Sequence, residues 1–233
     1  MGGPVSGAVG RTVRVDIHCH TAASYDSQLL PERLLARAEA VGLDAVVVTD
    51  HDTVQGAHVA TDLADDFDVT VIVGCEVSTA EGHLLALGVD EAPPPDEPLS
   101  RTAHRIRDAG GLAVVPHPFQ RSRHGASADA IEGVGGIEVY NALTLVGLRN
   151  AQAERFAREH GYPMFGGSDA HRTTGLGLAA TEVTLRPDQL PTQEDILAAM
   201  RDGRTAAVGR RTSTWQYVTK LVATARYNAP SLL

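Results

Sequence analysis

Residues 27–52, SQLLPERLLARAEAVGLDAVVVTDHD, contain the pattern that decides the fold. Apolar residues recur there at helical spacing, namely Leu34, Leu35, Ala38 and Val41. Pro31 is tolerated in the first turn of such a helix, and Gly42 is a C-terminal stop signal. The following segment, DAVVVTDHD, is a valine-rich run typical of a strand buried on both faces. The stretch therefore predicts a helix followed by a strand, as in a repeating βα protein.

The same alternation of strand and helix recurs along the chain. The other predicted strands are VDIHCH, VTVIVGCE, LLALGV, GLAVVPH, GIEVY and YPMFGGSDAH, and further helices are predicted at about 99–109, 146–160 and 192–202. Apolar strands that alternate with amphipathic helices indicate an α/β fold with a parallel sheet. The length of 233 residues fits one domain of barrel size, roughly 200 to 250 residues.

The composition limits the classes of protein to consider. The chain is 43% hydrophobic and 21% charged, which is typical of a globular protein. No apolar run approaches the ~20 residues that span a bilayer, and the start lacks a signal-peptide pattern, so we expect a cytoplasmic protein that does not contact membranes. The formal net charge of −9 disfavours an extended nucleic-acid surface. Cys19 and Cys75 are interpreted as small buried hydrophobic residues.

Histidines and carboxylates stand where the apolar runs stop. The carboxyl ends of parallel barrel strands open onto one face, which carries the active site. Residues i and i+2 of a strand point to the same side, so His18 and His20 can bind one metal ion. Asp169 and His171 repeat this spacing. The candidate ligands at strand ends are His18, His20, His51, Glu76, His117, Asp169 and His171, and His83 differs because it begins its strand.

The motifs around these residues resemble the PHP family, named for bacterial DNA polymerase and histidinol phosphatase domains. In order, they are DIHCHTAASYDS, GLDAVVVTDHDTVQGA, GCEVST, GHLLALGV, PHPF, IEVYNA and GSDAH, and they cover residues 14 to about 180. The resemblance implies a distorted (β/α)7 barrel, a single PHP domain over residues 1–233, and two or three divalent metal ions.

The resemblance also implies how the ligands divide among the ions. A first ion is expected to bind His18, His20, Glu76 and Asp169. Glu76 is expected to bridge to a second ion held by His83 and His117. A third ion is expected to bind Asp26, His51 and His171. A mixed nitrogen and oxygen ligand set suits manganese, iron or zinc better than magnesium or calcium.

Such a centre is expected to attract and hydrolyse phosphate esters. Three divalent cations outweigh the carboxylates of Asp26, Glu76 and Asp169, and a metal ion lowers the pKa of bound water towards ~7. We expect a hydrolase of a small phosphomonoester, a nucleotide (bis)phosphate or a short oligonucleotide end, with Asp169 and His171 as catalytic candidates. Two alternatives stay open: a carbon-centred hydrolase of the amidohydrolase or deaminase type, and a non-catalytic metal-binding regulatory domain.

Residues near the ligands are candidates for substrate contacts. Arg121, Arg123 and His124 follow the PHPF motif on a predicted loop at the same face, where the planar fork of arginine matches phosphate oxygens. Tyr140 and Asn141 end the GIEVY strand and are candidates for hydrogen bonds to the substrate.

Other polar residues are expected to play supporting roles. Glu138, Asp16 and Asp50 are candidates for orienting the ligands, although plain structural hydrogen bonds are the simpler interpretation of the two aspartates. Three further histidines fall within predicted helices and are expected to be exposed: His58, His104 and His160.

The end of the chain carries less information. Residues 181–210 predict one more strand and helix that close the domain. The tail after them is interpreted as a final helix in which Trp215, Tyr217 and Leu221 pack on the barrel, and the oligomeric state stays undecided.

Overall fold

The computed structural model describes residues 10–144 and 147–209. Within these ranges the strands are β1 (Thr12–Cys19), β2 (Ala45–Val48), β3 (Thr70–Thr79), β4 (Gly82–Leu87), β5 (Leu112–Val115), β6 (Gly136–Asn141), β7 (Met164–Gly167), β8 (Ala179–Thr184) and β9 (Thr205–Gly209). The α-helices are α1 (Pro31–Ala40), α2 (Gln55–Leu63), α3 (Leu99–Asp108), α4 (Leu148–His160) and α5 (Gln193–Arg201).

The strands of the described chain form one sheet in the order β7-β6-β5-β4-β3-β2-β1-β8-β9. Strand β7 also contacts β1, β8 and β9, so the sheet curves into a nearly closed barrel. This confirms the predicted α/β barrel. The sheet is mixed rather than wholly parallel, because β4 pairs antiparallel with β3 and β5, and β8 pairs antiparallel with β1 and β9.

Strands β3 and β4 form a hairpin in place of a helical crossover. Ser78 pairs with His83 and Thr79 with Gly82, so the connection is a tight turn. Because β4 runs in the opposite direction to β3, its first residues lie at the same end of the sheet as the last residues of β3. This antiparallel direction explains why His83 stands at the start of its strand rather than at the end.

The helices agree with the predictions from hydrophobic periodicity. Helix α1 begins at Pro31 and buries Leu34, Leu35 and Ala38 against the barrel. Gly42 follows the helix with φ +69°, a left-handed conformation that glycine adopts without strain. Helices α3, α4 and α5 begin and end within two residues of their predicted bounds.

Apolar residues fill the barrel and cover both of its outer sides. Ile17, Ile72, Leu85 and Phe165 belong to the inner cluster, to which α5 adds Met200. Helices α1 and α2 pack on one outer cluster, and helices α3 and α4 pack on another. Alternating strand residues thus face the interior or the helices.

The cysteines and exposed histidines lie where the sequence indicates. Cys19 packs in the cluster below α1, Cys75 packs in the cluster below α3, and both are buried free thiols. Their interpretation as small hydrophobic residues is confirmed. The three helical histidines, His58, His104 and His160, are exposed as predicted.

The C-terminal part of the described chain holds more structure than the sequence predicts. Residues 181–210 contribute most of β8, all of α5 and the additional edge strand β9. The predicted tail helix, with Trp215, Tyr217 and Leu221, lies outside the described residues. None of the described helices has the length and apolar character of a membrane span.

Candidate metal centre

One end of the sheet gathers the predicted ligands into a buried cluster. Four overlapping groups of side chains each bring their ligand atoms within 4.8 Å of one another. The groups are His18, His20 and Asp169; His18, Glu76 and His117; His51, Glu76 and His83; and His20, Asp26, His51 and His171. Every ligand candidate named from the sequence belongs to at least one group.

The four residues expected to bind the first ion, called the first group from here on, come from the end of β1 and the residue after it (His18 and His20), from β3 (Glu76) and from the segment after β7 (Asp169). The Nε2 atoms of His18 and His20 lie 3.2 Å apart, and each lies 3.2 Å from Glu76 Oε2. Asp169 Oδ1 lies 3.9 Å from His18 Nε2 and 3.6 Å from His20 Nε2. Four ligand atoms that surround an ion tetrahedrally at ~2.1 Å are roughly 3.4 Å apart. The spacing of this group therefore matches the size of a metal site.

Glu76 connects this group to a second one through its other oxygen. Glu76 Oε1 lies 2.9 Å from His83 Nδ1 and 3.1 Å from His117 Nε2. His83 reaches this position because β4 begins at the same end of the sheet at which β3 and β5 stop. The two carboxylate oxygens of Glu76 thus face different sets of histidines, as a bridging ligand requires.

The third group lies beside the first, next to the loop that follows β1. Asp26 Oδ2 lies 2.8 Å from His171 Nε2 and 3.6 Å from His51 Nε2. The His171 ring stacks on the His20 ring with centroids 4.2 Å apart. The third group is therefore in direct contact with the first.

Burial and mutual charge set the protonation of the cluster. Burial, together with the charge of His171, holds the pKa of His20 well below its ordinary value. Burial and the charge of Arg123 lower the pKa of His117 to about 3. Burial alone would raise the pKa of Glu76, but the histidines around it, led by His83, hold that pKa well below its usual range. His20 and His117 thus offer neutral ring nitrogens beside the ionised carboxylate of Glu76.

His18 differs because two carboxylates face its ring. Burial favours the neutral ring, but the charges of Glu76 and Glu138 outweigh burial and raise the pKa of His18 to about 9. A metal ligand must be deprotonated, so a cation that binds His18 displaces a proton.

The donor set fits divalent cations. The ring nitrogens and carboxylate oxygens lie at hydrogen-bond distance from one another or slightly further apart. A hydrogen bond joins only two of these atoms through one proton, so hydrogen bonds alone cannot satisfy all of them. A cation at the centre of the first group satisfies all four. Borderline nitrogen and oxygen ligands of this kind bind transition metals. His18, His20, Glu76 and Asp169 therefore have the chemistry of a metal site as well as its size.

One family model and several known proteins are similar to this chain. A family model described as PHP-associated matches residues 147–205. An uncharacterized protein of Methanocaldococcus jannaschii is 32% identical over 150 residues, covering 59% of this chain and 87% of that protein. A 5′-3′ exoribonuclease of Haemophilus influenzae is 35% identical over 107 residues, covering 44% of this chain and 39% of that enzyme.

A solved structure shares the fold. A two-domain protein of Bacteroides vulgatus, described as containing a predicted PHP-like metal-dependent phosphoesterase, aligns with a TM-score of 0.70 at 19% identity, over 95% of this chain and 74% of that chain. The chain belongs to the PHP family. Family membership and the buried ligand groups support a metal-dependent hydrolase.

Glu138 of β6 contacts two of the candidate ligands. Its Oε1 accepts a hydrogen bond from His18 Nδ1 at 3.1 Å, and its Oε2 accepts one from the His117 backbone N–H at 2.8 Å. A carboxylate in this position orients the ring and raises its basicity. Gly167 permits the arrangement, because a Cβ there would lie 2.4 Å from Glu138 Oε1.

Asn141 connects Glu138 to the aspartate of the first group. Its Nδ2 donates to Glu138 Oε2 at 2.9 Å and to Asp169 Oδ2 at 3.2 Å. Arg123 donates to Asn141 Oδ1 at 3.0 Å and forms an ion pair with Asp169 Oδ2. These contacts hold Oδ2 on the outer side of Asp169, so Oδ1 faces the ligand nitrogens.

The basic loop divides into one residue at the centre and others at its rim. The Arg123 side chain is only 9% exposed, whereas Arg121 is exposed on the surface. The His124 ring is exposed and stacks on the His83 ring with centroids 5.1 Å apart. Tyr140 is half-buried beside Asn141, and no hydrogen bond within residues 10–144 and 147–209 joins it to a ligand. Of the five substrate-contact candidates, Arg123 and Asn141 contact the cluster most directly.

Asp16 and Asp50 make structural hydrogen bonds. This is the simpler of the two interpretations that the sequence allowed for them. Asp16 accepts from the backbone N–H groups of Ser168 at 2.9 Å and Gly177 at 3.0 Å. Asp50 accepts from the hydroxyl of Thr21 at 2.6 Å. The two aspartates tie loops together rather than orienting a ligand ring.

Ser24 is a supporting residue that the sequence did not reveal. Its hydroxyl lies 3.3 Å from His20 Nδ1, donates to Asp26 Oδ1 at 3.2 Å and accepts from the His51 backbone N–H at 3.2 Å. The position of Ser24 between His20 and Asp26 is the sequence feature that could have indicated this role. It is a weak indication, because serine is common in loops.

Two ligands have backbone conformations that are rare for residues with side chains. His117 has φ +30° and Asp169 has φ +54°. Such conformations cost of order 1–3 kcal/mol and cluster at functional sites, where the surrounding structure imposes them. The polar contacts of Glu138 and Asn141 supply that surrounding structure.

Proposed function

We propose that this PHP protein hydrolyses a phosphomonoester of a small molecule, a nucleotide (bis)phosphate or a short oligonucleotide end. The observation that supports it most is the position of Arg123, whose guanidinium lies against Asp169 at the edge of a buried ligand cluster. A cation cluster with an adjacent arginine suits a phosphate, because both attract its oxygens.

We assign the ligands to two or three ions of manganese, iron or zinc. The first ion would bind His18, His20, Glu76 and Asp169; the second Glu76, His83 and His117; the third Asp26, His51 and His171. When bound, such ions supply Lewis acidity and a water of lowered pKa for attack on phosphorus.

The remaining residues of the site position the phosphate. A guanidinium carries five N–H donors, so Arg123 can bind phosphate oxygens while it stays paired with Asp169. Asn141 holds Arg123 in place through its side-chain oxygen. His124 and Tyr140 lie further out and would contact the organic part of the substrate, as would the exposed Arg121.

His171 is a candidate ligand of the third ion and a candidate proton donor to the leaving oxygen, and these two roles exclude each other. Its Nδ1 lies 2.8 Å from the Asp169 backbone oxygen and its Nε2 lies 2.8 Å from Asp26 Oδ2. With Nδ1–H donating to that backbone oxygen, Nε2 is the metal-binding atom. We therefore assign His171 to the third ion, and protonation of the leaving oxygen by His171 requires that ion to be absent.

The alternatives fit the site less well. A carbon-centred hydrolase has no need of a guanidinium beside its metal ligands. A non-catalytic domain has no need of a ligand set in which all nine candidates converge. Arg123 and the complete set thus favour phosphate ester hydrolysis over both.

The test is phosphate release by the manganese-reconstituted protein from nucleotide mono- and bisphosphates, histidinol phosphate and sugar phosphates. His18→Ala is the control, because it removes a ligand of the first ion. Release that the control lacks supports the proposal. If the metal-loaded protein releases no phosphate from any compound, carbon-centred hydrolysis or a binding role becomes the better account.

A further inference from the structure

An exposed aromatic ring lies at the rim of the metal centre. Tyr25 is 46% exposed, although its ring stacks on His51 with centroids 4.7 Å apart and an angle of 16° between the planes. Its neighbours Ser24 and Asp26 are fixed by the site, since Ser24 binds His20 and Asp26 binds His171. The ring is therefore held in a defined plane and is not a loose surface side chain.

Tyr25 and Arg123 border different parts of the cluster. Tyr25 lies beside Asp26 and His51, which belong to the third group, whereas Arg123 lies beside Asp169. A phosphate ester that lies across the cluster, with its phosphate on Arg123 and its organic part towards the third group, would bring that organic part to the Tyr25 ring. The organic part would then meet a flat, partly exposed aromatic surface.

We propose that Tyr25 is a stacking surface for a nucleobase, so that the substrate is a nucleoside phosphate or the end of a short oligonucleotide. This inference rests on the proposed phosphoesterase function. Stacking of a base on an aromatic ring tolerates any base, because every base has a π-face. The net charge of −9 opposes long polyanions and favours a substrate of one or a few nucleotides.

A matched pair of compounds isolates the base. Adenosine 5′-monophosphate and ribose 5-phosphate share the phosphate and the sugar, and adenine replaces the C1 hydroxyl, so the ratio of their KM values measures what the base contributes. Tyr25→Leu should raise the KM for the nucleotide roughly 5- to 150-fold, the range for loss of one base stack, and leave that for ribose 5-phosphate unchanged. Tyr25→Phe keeps the ring and should keep the ratio. Leu190→Ala changes an exposed apolar residue outside the centre and should alter neither value.

Other outcomes would overturn the inference. If Tyr25→Leu raises both KM values equally, the ring only supports His51. If the unchanged protein does not distinguish the two compounds, no base is recognised.

Calorimetry with the phosphonate analogues of both compounds, which cannot be hydrolysed, separates this inference from the proposed function. Nucleotide-selective binding that Tyr25→Leu removes, without turnover of any ester, would retain the stacking surface and reject the phosphoesterase. Binding of neither analogue to the metal-loaded protein would reject both.

Discussion

The two ends of the barrel both carry charged residues, but only one has the form of an active site. At the end described above, histidines and carboxylates are buried and point at one another. At the opposite end, before β1, β2 and β3, a hollow of about 340 Å³ is lined by Arg11, Glu39, Asp44 and Asp68 among others. Arg11 pairs there with Asp44 at 2.9 Å, and Glu39 accepts from the Asp68 backbone N–H at 2.9 Å.

This difference shows that a charged hollow is a weak sign of function. At the opposite end Arg11 pairs with Asp44 in partial contact with water, so these charges need no further ligand to stabilise them. The buried ligand atoms of the metal centre are mostly hydrogen-bond acceptors that face one another, and too few protons lie between them to form hydrogen bonds. Burial makes such unsatisfied polar atoms energetically unfavourable. A cation site is therefore indicated by ligand atoms that are both buried and directed at one point.

The largest expected effect is the loss of a ligand at the metal centre. Asp169→Ala should lower kcat by more than the roughly 10- to 100-fold that supporting residues cost, because the first ion loses a ligand. Asp44→Ala, in the opposite hollow, is the matched control and should leave kcat unchanged. Steady-state kinetics with manganese checks both, and comparable losses in the two variants would remove the functional distinction between the ends.

A smaller effect is expected from the carboxylate behind His18. Glu138→Gln should weaken metal binding about 10- to 100-fold, because the glutamine amide orients His18 less well and lacks the negative charge of the glutamate. Glu39→Gln provides the same change at the other end and should have no effect. Metal competition followed by calorimetry measures both, and an unaltered affinity in Glu138→Gln would assign Glu138 to structure alone.

Asp16 should make the free energy of unfolding depend on pH. Burial raises the pKa of Asp16 to about 6 in the folded protein, above the ordinary 3.8. The contribution of this group to stability is therefore fully present below about pH 4 and is lost as the pH rises through about 6.

The metal-free protein should consequently lose about 2 kcal/mol between pH 4 and pH 8 relative to Asp16→Asn, which cannot titrate. Denaturant unfolding of the two proteins at both pH values measures the difference. His18 titrates in both proteins, so its contribution cancels. Parallel pH profiles would show that Asp16 is solvated more than its burial indicates.

Arg123 and Arg121 lie on the same loop, but Arg123 is nearly buried and Arg121 is exposed, so their variants can be compared directly. Arg123→Ala should raise KM for phosphate esters roughly 10-fold, because charge-assisted hydrogen bonds made in both ground and transition states are lost. Arg121→Ala should change KM much less, since its side chain is exposed. Equal effects on KM would place both residues in contact with the substrate.

The smallest effect is expected for the ion pair of the opposite hollow. The Arg11 side chain is 58% exposed, and exposed pairs contribute less than about 1 kcal/mol. Arg11→Ala should therefore change the free energy of unfolding only slightly and leave kcat/KM unaffected. A large drop in turnover would point to a role for this end of the barrel.

Local sequence patterns predicted most elements of the fold and the residue types of the centre. The period of the apolar residues in α1 and the i, i+2 spacing of His18 and His20 are local properties, so they can be identified without a structure. The hairpin of β3 and β4 could not be predicted in this way, because periodicity does not report strand direction.

The sequence by itself thus determined an α/β barrel with candidate ligands at its strand ends, and the family resemblance supplied their expected grouping. Only the tertiary structure decided that Glu138 reaches His18, 120 residues earlier in the chain. It also decided that Arg123 turns inward while Arg121 turns to solvent. Loop direction and contacts between distant residues depend on how the whole barrel packs, and no local pattern encodes them.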